Sequence, residues 1–237
     1  MHKIFLIRHG ESLSNAGLAT TDPKNVELTL RGHEQAKQIA AFLKEYTSLN
    51  LIVTSAYLRT KQTAAPTKDV FRIRSHEEWE VQEFTYLSPV YLGYSTPDDR
   101  RPLVDAYWEQ CQPSFTDGRG SESFKVFIGR VQGFMRQLKD RRENIAVFSH
   151  EQFITAVLWV LKHKPTEIAS DVMRDFRDFF NQNRIPNGAI VEIKVRRSED
   201  SQHSWTYEQV TGHLERAVPG PEPPPIQLFE RSAALVP

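Results

Sequence analysis

The chain has 237 residues, 39% of them hydrophobic and 25% charged, which is typical of a globular protein. Its 30 Lys and Arg residues balance its 30 Asp and Glu residues, so the net charge provides no general attraction to nucleic acid or to an anionic membrane. The most apolar stretch, Phe153 to Leu161, is much shorter than the roughly 20 residues that span a bilayer. We therefore expect no nucleic-acid partner and no membrane association.

Two further features indicate a cytoplasmic protein. Cys111 is the only cysteine, which rules out an intrachain disulfide and is typical of a reducing compartment. The first residues lead directly into a charged motif and lack a signal-peptide pattern. The sequence leaves the oligomeric state open.

The first predicted element is a buried strand over residues 3–7, Lys-Ile-Phe-Leu-Ile, followed by the turn Arg8-His9-Gly10-Glu11-Ser12. Ligands of open α/β sheets bind just beyond the carboxyl ends of strands. Arginine binds phosphate oxygens in a planar fork, and a neutral imidazole can attack phosphorus as a nucleophile. Asn15 follows six positions after the histidine. The turn therefore predicts a phosphate site.

A helix and a second strand-to-helix turn follow a polar loop at 14–26. Thr29 is the predicted N-cap of the helix, whose apolar stripe consists of Ala36, Ile39, Ala40 and Leu43. Residues 51–55 predict a strand, and Arg59 falls near the amino end of the next helix, where an anion is favoured. A third strand is predicted over 70–73.

The middle of the chain, about 77–120, is predicted to be irregular and is rich in Tyr, Trp, Pro and charge. Its aromatic residues either contact a substrate or form a small core of their own, and we favour the core; they are Tyr86, Tyr91, Tyr94, Tyr107 and Trp108. Arg100 and Arg101 lie beside Asp98 and Asp99, which indicates a solvated charged loop. Specificity for the substrate is expected to lie in this segment.

The last third of the chain alternates helices and strands again. Ser121 is the predicted cap of a helix whose buried face consists of Phe124, Phe127, Ile128, Val131, Phe134, Met135 and Leu138. A strand over 144–149 ends at His150, and helices are predicted over 152–162 and from near Pro165. Strands over 189–195 and 205–210 are expected to pair.

This alternation predicts an α/β fold with three layers, a mainly parallel sheet flanked by helices. We expect a single domain over residues 1–218 and a proline-rich C-terminal tail over 219–237. In such a sheet the ends of the first, second and fourth strands lie along one edge, so the groups that follow them can converge.

Four motifs in order resemble those of the histidine phosphatase superfamily, branch 1, the phosphoglycerate mutase-like group. They are Arg8-His9-Gly10-Glu11; Leu28-Thr29-Leu30-Arg31-Gly32 with Gln35-Ala36; Ser55-Ala56-Tyr57-Leu58-Arg59 with Gln62-Thr63-Ala64; and Phe148-Ser149-His150. The resemblance extends over roughly residues 3–195 and implies a phosphoglycerate mutase-like fold.

The resemblance also implies roles for these residues. His9 is the nucleophile that becomes phosphorylated; Arg8, Arg59 and His150 bind the phosphoryl group, and Asn15 is a further amide donor. The family takes its general acid from a carboxylate after the third strand, which indicates Glu83, with Glu80 as the alternative. The implied enzyme is a histidine acid phosphatase-type phosphomonoesterase acting on a small phosphorylated metabolite.

Physical chemistry favours the same site. Phosphoryl transfer requires stabilisation of charge on three oxygens, and two guanidinium groups with an imidazolium can provide it without a metal. The six other histidines have no metal-ligand spacing, so we expect neither a metal nor another cofactor. A protonated Glu83 would supply the leaving group with its proton.

One position departs from the family pattern, which has glycine after the second catalytic histidine where this chain has Glu151. Glu151 is either an ordinary acid in the first turn of a helix or a residue that narrows the substrate pocket, and we favour the first interpretation. Two alternatives to a phosphatase stay open, a phosphoglycerate mutase and a catalytically inactive phosphate-binding module. The substrate itself is not predicted.

Overall fold

A mainly parallel sheet lies at the centre of the fold. The structure, a computed structural model, describes residues 2–73, 75–91, 93–197 and 203–210. Six strands of these residues form one sheet: β1 (His2–Arg8), β2 (Leu51–Thr54), β3 (His76–Glu78), β4 (Ile145–Ser149), β5 (Ile190–Arg197) and β6 (His203–Val210). Their order is β3-β2-β4-β1-β5-β6. The first four strands pair in parallel, whereas β5 is antiparallel to β1 and β6 to β5.

Helices cover both faces of the sheet, as the sequence predicts. They are α1 (Leu30–Tyr46), α2 (Leu58–Phe71), α3 (Pro97–Gln110), α4 (Phe124–Lys139), α5 (Glu151–His163) and α6 (Ser170–Gln182). The helices α1 and α2 bury their apolar residues against one face, and α3 to α6 pack on the other. The three-layer α/β fold is confirmed. Among the described residues, no helix has the length and apolarity needed to cross a membrane.

The apolar run of β1 is continuous because both of its faces are covered. Successive side chains of a strand point to opposite faces, so Ile4 and Leu6 join one core cluster while Phe5 and Ile7 join the other. All four side chains are fully buried. Each such burial contributes about 1.5–3 kcal/mol, which fixes β1 in the centre of the sheet.

The predicted N-cap is correct for α1 and shifted for α4. Thr29 caps α1 by accepting a hydrogen bond from the backbone N–H of Gly32, and the predicted apolar stripe is buried. The predicted cap of α4, Ser121, is wrong, because its hydroxyl donates to the carbonyl of Gly118. The cap is Ser123, whose Oγ accepts from the N–H of Val126, and the predicted buried face of α4 is confirmed.

The strand predicted over 70–73 is wrong. The helix α2 continues to Phe71 and ends at Arg72, which has left-handed backbone angles, with φ of 51°. The third strand is instead β3, at the edge of the sheet, where polar residues such as His76 and Glu78 are exposed. A polar edge strand has no apolar run, so the periodicity of the sequence does not reveal it.

The prediction of irregular structure over 77–120 is also wrong for its central part, which forms α3. Thr96 caps this helix in a capping box with Asp99, and Pro97 occupies its first turn. Only Tyr107 and Trp108 of α3 are buried, so the helix has little apolar periodicity. The helix expected near Pro165 begins at Ser170 instead.

The pairing predicted near the C-terminus is confirmed, since β6 is antiparallel to β5 from His203 to Val210. The tail expected over 219–237 lies outside the described residues, and so does the predicted domain end at residue 218. Both stay predictions.

Two glycines join the turn after β1 to the start of α1. A Cβ atom added to Gly32 would lie 2.1 Å from the carbonyl oxygen of Glu11, and one added to Gly10 would lie 2.5 Å from the carbonyl oxygen of Gly32. The same carbonyl of Glu11 accepts the N–H of Thr29 at 2.9 Å. The two backbones are therefore in direct contact, and this contact fixes the turn that carries His9.

We expect the substitution Gly32→Ala to destabilise the protein, by about 2 kcal/mol or more, because the new methyl group collides with backbone that cannot move independently. The matched control is Gly129→Ala in α4, where the added Cβ meets nothing within 4 Å. Alanine there should raise stability by up to about 1 kcal/mol through helix propensity. Urea unfolding measures both, and equal stability of Gly32→Ala and wild type would contradict the contact.

Candidate active site

The predicted site residues meet at a cavity of about 340 Å³ beyond the carboxyl ends of β1 and β2. Those that line it are Arg8, His9, Asn15, Arg59 and Glu83. His150 follows β4, which pairs with both β1 and β2. It is fully buried and does not line the cavity, but its side chain contacts Arg59. The structure thus brings five predicted residues to the cavity and places the sixth behind them.

The imidazole of His9 is held in one tautomer. Its Nδ1 lies 2.7 Å from the carbonyl oxygen of Gly10, so Nδ1–H donates to that oxygen. Its Nε2 lies 3.0 Å from Nε of Arg59, which donates to it. Burial, followed by the positive charges of Arg59 and Arg8, holds the pKa of His9 well below its ordinary value of 6.5. His9 is therefore neutral, with the lone pair of Nε2 available as a nucleophile.

Arg59 connects the two histidines. Besides its contact with His9, its Nη2 lies 3.0 Å from Nδ1 of His150, and its Nη1 donates to the carbonyl of Pro23 at 2.7 Å. The guanidinium also stacks on Tyr57, 4.8 Å from the ring centroid. Burial lowers the pKa of Arg59 to about 10, so the group is still charged at neutral pH.

His150 is neutral in this arrangement. Its Nδ1 accepts a hydrogen bond from Arg59, and its Nε2 lies 2.8 Å from Oγ of Ser55, to which it donates. Burial and the charge of Arg59 hold the pKa of His150 well below 6.5. The imidazolium that the sequence predicts for phosphoryl transfer is thus not favoured in the free protein, and it stays a prediction for the complex with a bound phosphoryl group. Ser55 was not predicted, although its place directly after β2 follows the same rule that singled out Arg8 and His9.

Of the two candidate acids, Glu83 lies at the site and Glu80 does not. The Glu83 carboxylate accepts the backbone N–H groups of Phe84 and Gln152, each at 3.1 Å. Burial raises the pKa of Glu83, and the negative charge of Glu151 raises it further. Glu80 is exposed, and it is not among the residues of the cavity wall. The geometry favours Glu83 as the acid.

Asn15 presents its amide to the same cavity. Its Oδ1 accepts from the N–H and hydroxyl of Ser12, at 3.2 and 2.8 Å, and from Nδ2 of Asn187 at 3.0 Å. These contacts occupy the oxygen, so Nδ2 is the group of Asn15 that can donate to a phosphoryl oxygen.

Arg8 and Glu151 form an ion pair. Nη1 of Arg8 lies 3.1 Å from Oε2 of Glu151 and also donates to the carbonyl of Ile185. The Glu151 carboxylate is buried and is bound by Arg184 as well, with Nε 2.6 Å from Oε1. The favoured interpretation of Glu151 as an ordinary first-turn acid is therefore wrong. Nor is Glu151 part of the cavity wall, so nothing supports its narrowing the pocket.

Arg100 and Arg101, which were expected in one solvated charged loop, have different environments at the outer part of the cavity. Arg100 lines the cavity, and its guanidinium donates to the carbonyls of Ser95 and Thr96. Arg101 is exposed and pairs with Asp98 at 2.7 Å. Among the described residues, no carboxylate lies within ion-pair distance of Arg100.

The aromatic residues of this segment have different roles. Tyr107 and Trp108 are core residues, as expected, but they belong to the main core and not to a separate small core of the segment. Tyr86 packs against that core and also lines the cavity, whereas Tyr94 is 78% exposed. The side chain of Tyr91 lies outside the described residues. Within the described part of the chain, no group of three His, Cys, Asp or Glu side chains is arranged to hold a metal ion.

Comparison with known proteins identifies the family. Residues 4–206 match the model of the histidine phosphatase superfamily, branch 1. The chain is 28% identical over 177 residues to the adenosylcobalamin/alpha-ribazole phosphatase of Escherichia coli K12, covering 70% of this chain and 81% of that protein. It is 28% identical over 159 residues to phosphoserine phosphatase 1 of Hydrogenobacter thermophilus, covering 63% and 71%.

A solved structure confirms the fold independently of close sequence similarity. The putative alpha-ribazole-5'-P phosphatase from E. coli K-12 superimposes with a TM-score of 0.65 at 21% identity. The match covers 86% of this chain and 94% of that chain.

We expect nitrogen NMR of labelled histidine to find His9 with its proton on Nδ1 and His150 with its proton on Nε2, both neutral at pH 7. Both histidines bind a proton near pH 6.5 in the unfolded chain but stay neutral at that pH in the folded protein. The free energy of unfolding should therefore have its full value above pH 6.5 and decrease as the pH falls below it. The signals are assigned by His9→Ala and His150→Ala. A doubly protonated ring for either histidine at pH 7 would contradict the tautomers.

Proposed function

The chain belongs to branch 1 of the histidine phosphatase superfamily, which makes it an enzyme of the phosphatase and mutase kind, and we propose that it is a metal-independent phosphatase. It hydrolyses a small phosphomonoester through a phosphohistidine intermediate on His9, with Glu83 as the general acid. This is the chemistry of a histidine acid phosphatase-type phosphomonoesterase.

The observation that carries the proposal is the arrangement around Nε2 of His9. The Gly10 carbonyl binds the proton on Nδ1, so the lone pair of Nε2 is free of a proton and lies beside the Arg59 guanidinium. A phosphoryl oxygen that replaces this contact with Arg59 brings phosphorus next to Nε2. Glu83 lines the same cavity and has the raised pKa that a proton donor requires.

The reaction proceeds in two balanced steps. In the first, Nε2 of His9 forms a bond to phosphorus, the P–O bond to the alcohol breaks, and the alcohol oxygen takes the proton of Glu83. In the second, water attacks phosphorus, its proton passes to the Glu83 carboxylate, and the P–N bond breaks to release phosphate and restore His9. One residue serves as acid and then as base.

The site's own cations stabilise the transferring phosphoryl group. Arg59 and Arg8 are permanent positive charges that line the cavity, and the Nδ2 amide of Asn15 adds a neutral donor. His150 lies behind Arg59. Its Nδ1 accepts a hydrogen bond from Nη2 of Arg59 and so orients the guanidinium. These groups take the place that a divalent ion has in other phosphoryl-transfer enzymes.

A small phosphorylated metabolite fits the size of the cavity, about 340 Å³. The relatives named above, an alpha-ribazole phosphatase and a phosphoserine phosphatase, act on such esters, which supports the proposed substrate class. Tyr86 and Leu87 offer apolar contacts to the alcohol part, while Arg100 offers a positive charge at the outer end of the cavity.

The alternative of a phosphoglycerate mutase has one observation in its favour, because a mutase binds a substrate with a second anionic group. Arg100 lines the cavity and, among the described residues, has no carboxylate within ion-pair distance. The inactive phosphate-binding module has none, since each expected catalytic position carries a competent residue. A mutase would convert 3-phosphoglycerate into its isomer without accumulating phosphate, whereas the proposed enzyme releases phosphate.

We expect a radiolabelled phosphomonoester to transfer its label to the wild-type protein, in a bond that is stable to base and labile to acid. The substitution His9→Ala should abolish the labelling and reduce phosphate release to background. His33→Ala, an exposed position of α1, is the matched control and should behave as wild type. EDTA should change neither readout.

Labelling that persists in His9→Ala would refute the nucleophile. Loss of activity in EDTA that Mg²⁺ or Zn²⁺ restores would refute metal independence.

We expect Glu83→Gln to slow the hydrolysis of an alkyl phosphate by roughly 10²–10⁴-fold, because the alkoxide leaves only with a proton. Hydrolysis of p-nitrophenyl phosphate should decrease much less, since nitrophenolate is a good leaving group. Steady-state kcat/KM on both esters measures the difference.

Glu80→Gln is the matched control, since that carboxylate is exposed and away from the cavity. Equal losses on both esters in Glu83→Gln would indicate a structural role. The differential pattern in Glu80→Gln instead would show that Glu80 is the acid.

A further inference from the structure

Glu151 is a buried carboxylate for which the proposed reaction has no role. It is only 5% exposed, at the first position of α5, directly after His150. A carboxylate at a helix start normally stays in water, where the helix dipole already favours it. Burying it costs free energy unless cations and hydrogen bonds compensate. The groups that contact Glu151 therefore indicate why the carboxylate is buried.

Three groups fix the Glu151 carboxylate in place. Arg184 binds both oxygens, with Nε 2.6 Å from Oε1 and Nη2 3.1 Å from Oε2. The backbone N–H of Ile185 donates to Oε1 at 3.3 Å, and Nη1 of Arg8 lies 3.1 Å from Oε2. Because Arg8 belongs to the proposed phosphate site, its ion pair with Glu151 connects this carboxylate to the site.

The same helix turn binds the acid Glu83. The backbone N–H of Gln152, the residue after Glu151, donates to the Glu83 carboxylate at 3.1 Å. Arg8 interacts electrostatically with both carboxylates. One turn of α5 therefore holds both acidic side chains: Glu151 is buried and paired with Arg8, and Glu83 is bound by the next N–H of the same turn and lines the cavity.

We propose that Glu151 is a positioning residue that acts through Glu83: it fixes a second carboxylate at the turn of α5 that binds the acid, and its charge favours the protonated form of Glu83. The inference rests on the proposed function, because a proton on Glu83 matters only if Glu83 protonates a leaving group. Arg184, at the outer side of Glu151, compensates for the charge that is buried.

The charges around Glu83 agree in sign with this role. Burial is the first cause of its raised pKa, and Glu151 is the second. Arg59 and Arg8 oppose the rise, and Arg184 and the phenol of Tyr86 also interact with the carboxylate. Removing Glu151 would leave burial as the main cause that opposes the cations, so Glu83 would lose its proton at a lower pH.

The test is the pH dependence of kcat/KM, which reports groups of the free enzyme. With glycerol phosphate as substrate, the basic limb of the profile should move to lower pH by about one unit in Glu151→Gln. With p-nitrophenyl phosphate the limb should move much less, because that leaving group needs little protonation. Arg184→Gln removes a cation instead and should move the limb to higher pH.

A control variant and the comparison of the two esters separate an effect of charge from a structural defect. Glu167→Gln removes an exposed carboxylate outside the cavity and should leave both profiles unchanged. A general structural defect in Glu151→Gln would lower the rates on both esters without moving either limb, and that result would overturn the proposal. If Glu151→Gln does not fold, Arg184→Gln tests the proposal: a basic limb at higher pH supports it, and an unchanged limb or one at lower pH overturns it.

Carbon NMR of labelled glutamate, with the Glu83 signal assigned by Glu83→Gln, makes the test independent of turnover. The titration midpoint of Glu83 in the free protein should be lower in Glu151→Gln than in wild type, and an unchanged midpoint would overturn the inference. Absence of both phosphohistidine and turnover in the wild type would instead refute the proposed function, whatever the titration shows.

Discussion

The site depends on one buried positive charge, the guanidinium of Arg59. Among the described residues it has no carboxylate within ion-pair distance, and its N–H groups are bound by Nε2 of His9, Nδ1 of His150 and the carbonyl of Pro23. Two imidazoles can accept these N–H groups only if both are neutral at the accepting nitrogen. The other nitrogen of each ring must then donate, to Gly10 and to Ser55. One charge thus sets the tautomers of both histidines.

The buried positive charge of Arg59 also favours negative charge nearby. A buried cation without a counterion is costly, and a phosphoryl group is the anion that we propose for the cavity. Until it arrives, the fixed carboxylate of Glu151 supplies negative charge beside Arg8. The resting site is therefore a balance of charges, in which burial and then the carboxylate of Glu151 raise the pKa of Glu83 against the lowering effect of Arg59 and Arg8.

The sheet provides the geometry for this balance. Hydrogen bonds join His9 N–H to the carbonyl of Ser149 and Ser55 N–H to the carbonyl of Phe148, so the ends of β1, β2 and β4 are tied together. The hydroxyl of Ser149 donates to the carbonyl of Val81 at 2.6 Å, which ties the segment of Glu83 to the same edge. Residues that are remote in sequence meet because parallel strands end together.

The sequence by itself determined the parts that rest on local pattern. Apolar runs such as residues 3–7 belong to buried strands because both faces of the sheet are covered, and the Thr29 cap and its stripe follow from helix geometry. Arg8 and His9 could be identified because polar residues directly after an apolar strand lie where α/β sheets bind their ligands. Arg59 could be identified because it falls near the amino end of a helix, where an anion is favoured. Glu83 could be separated from Glu80 only in three dimensions, because both lie in one irregular segment.

Only the tertiary structure decided how the charges are distributed. The edge strand β3 and the helix α3 have too few buried residues to show a period, so their positions depend on contacts made elsewhere in the chain. The neutral form of His150 depends on Arg59, 91 positions away. Glu151 resembles an ordinary helix-start acid until Arg8 and Arg184 are brought to it. Protonation states are set by neighbours in space, and the order of residues along a chain does not specify those neighbours.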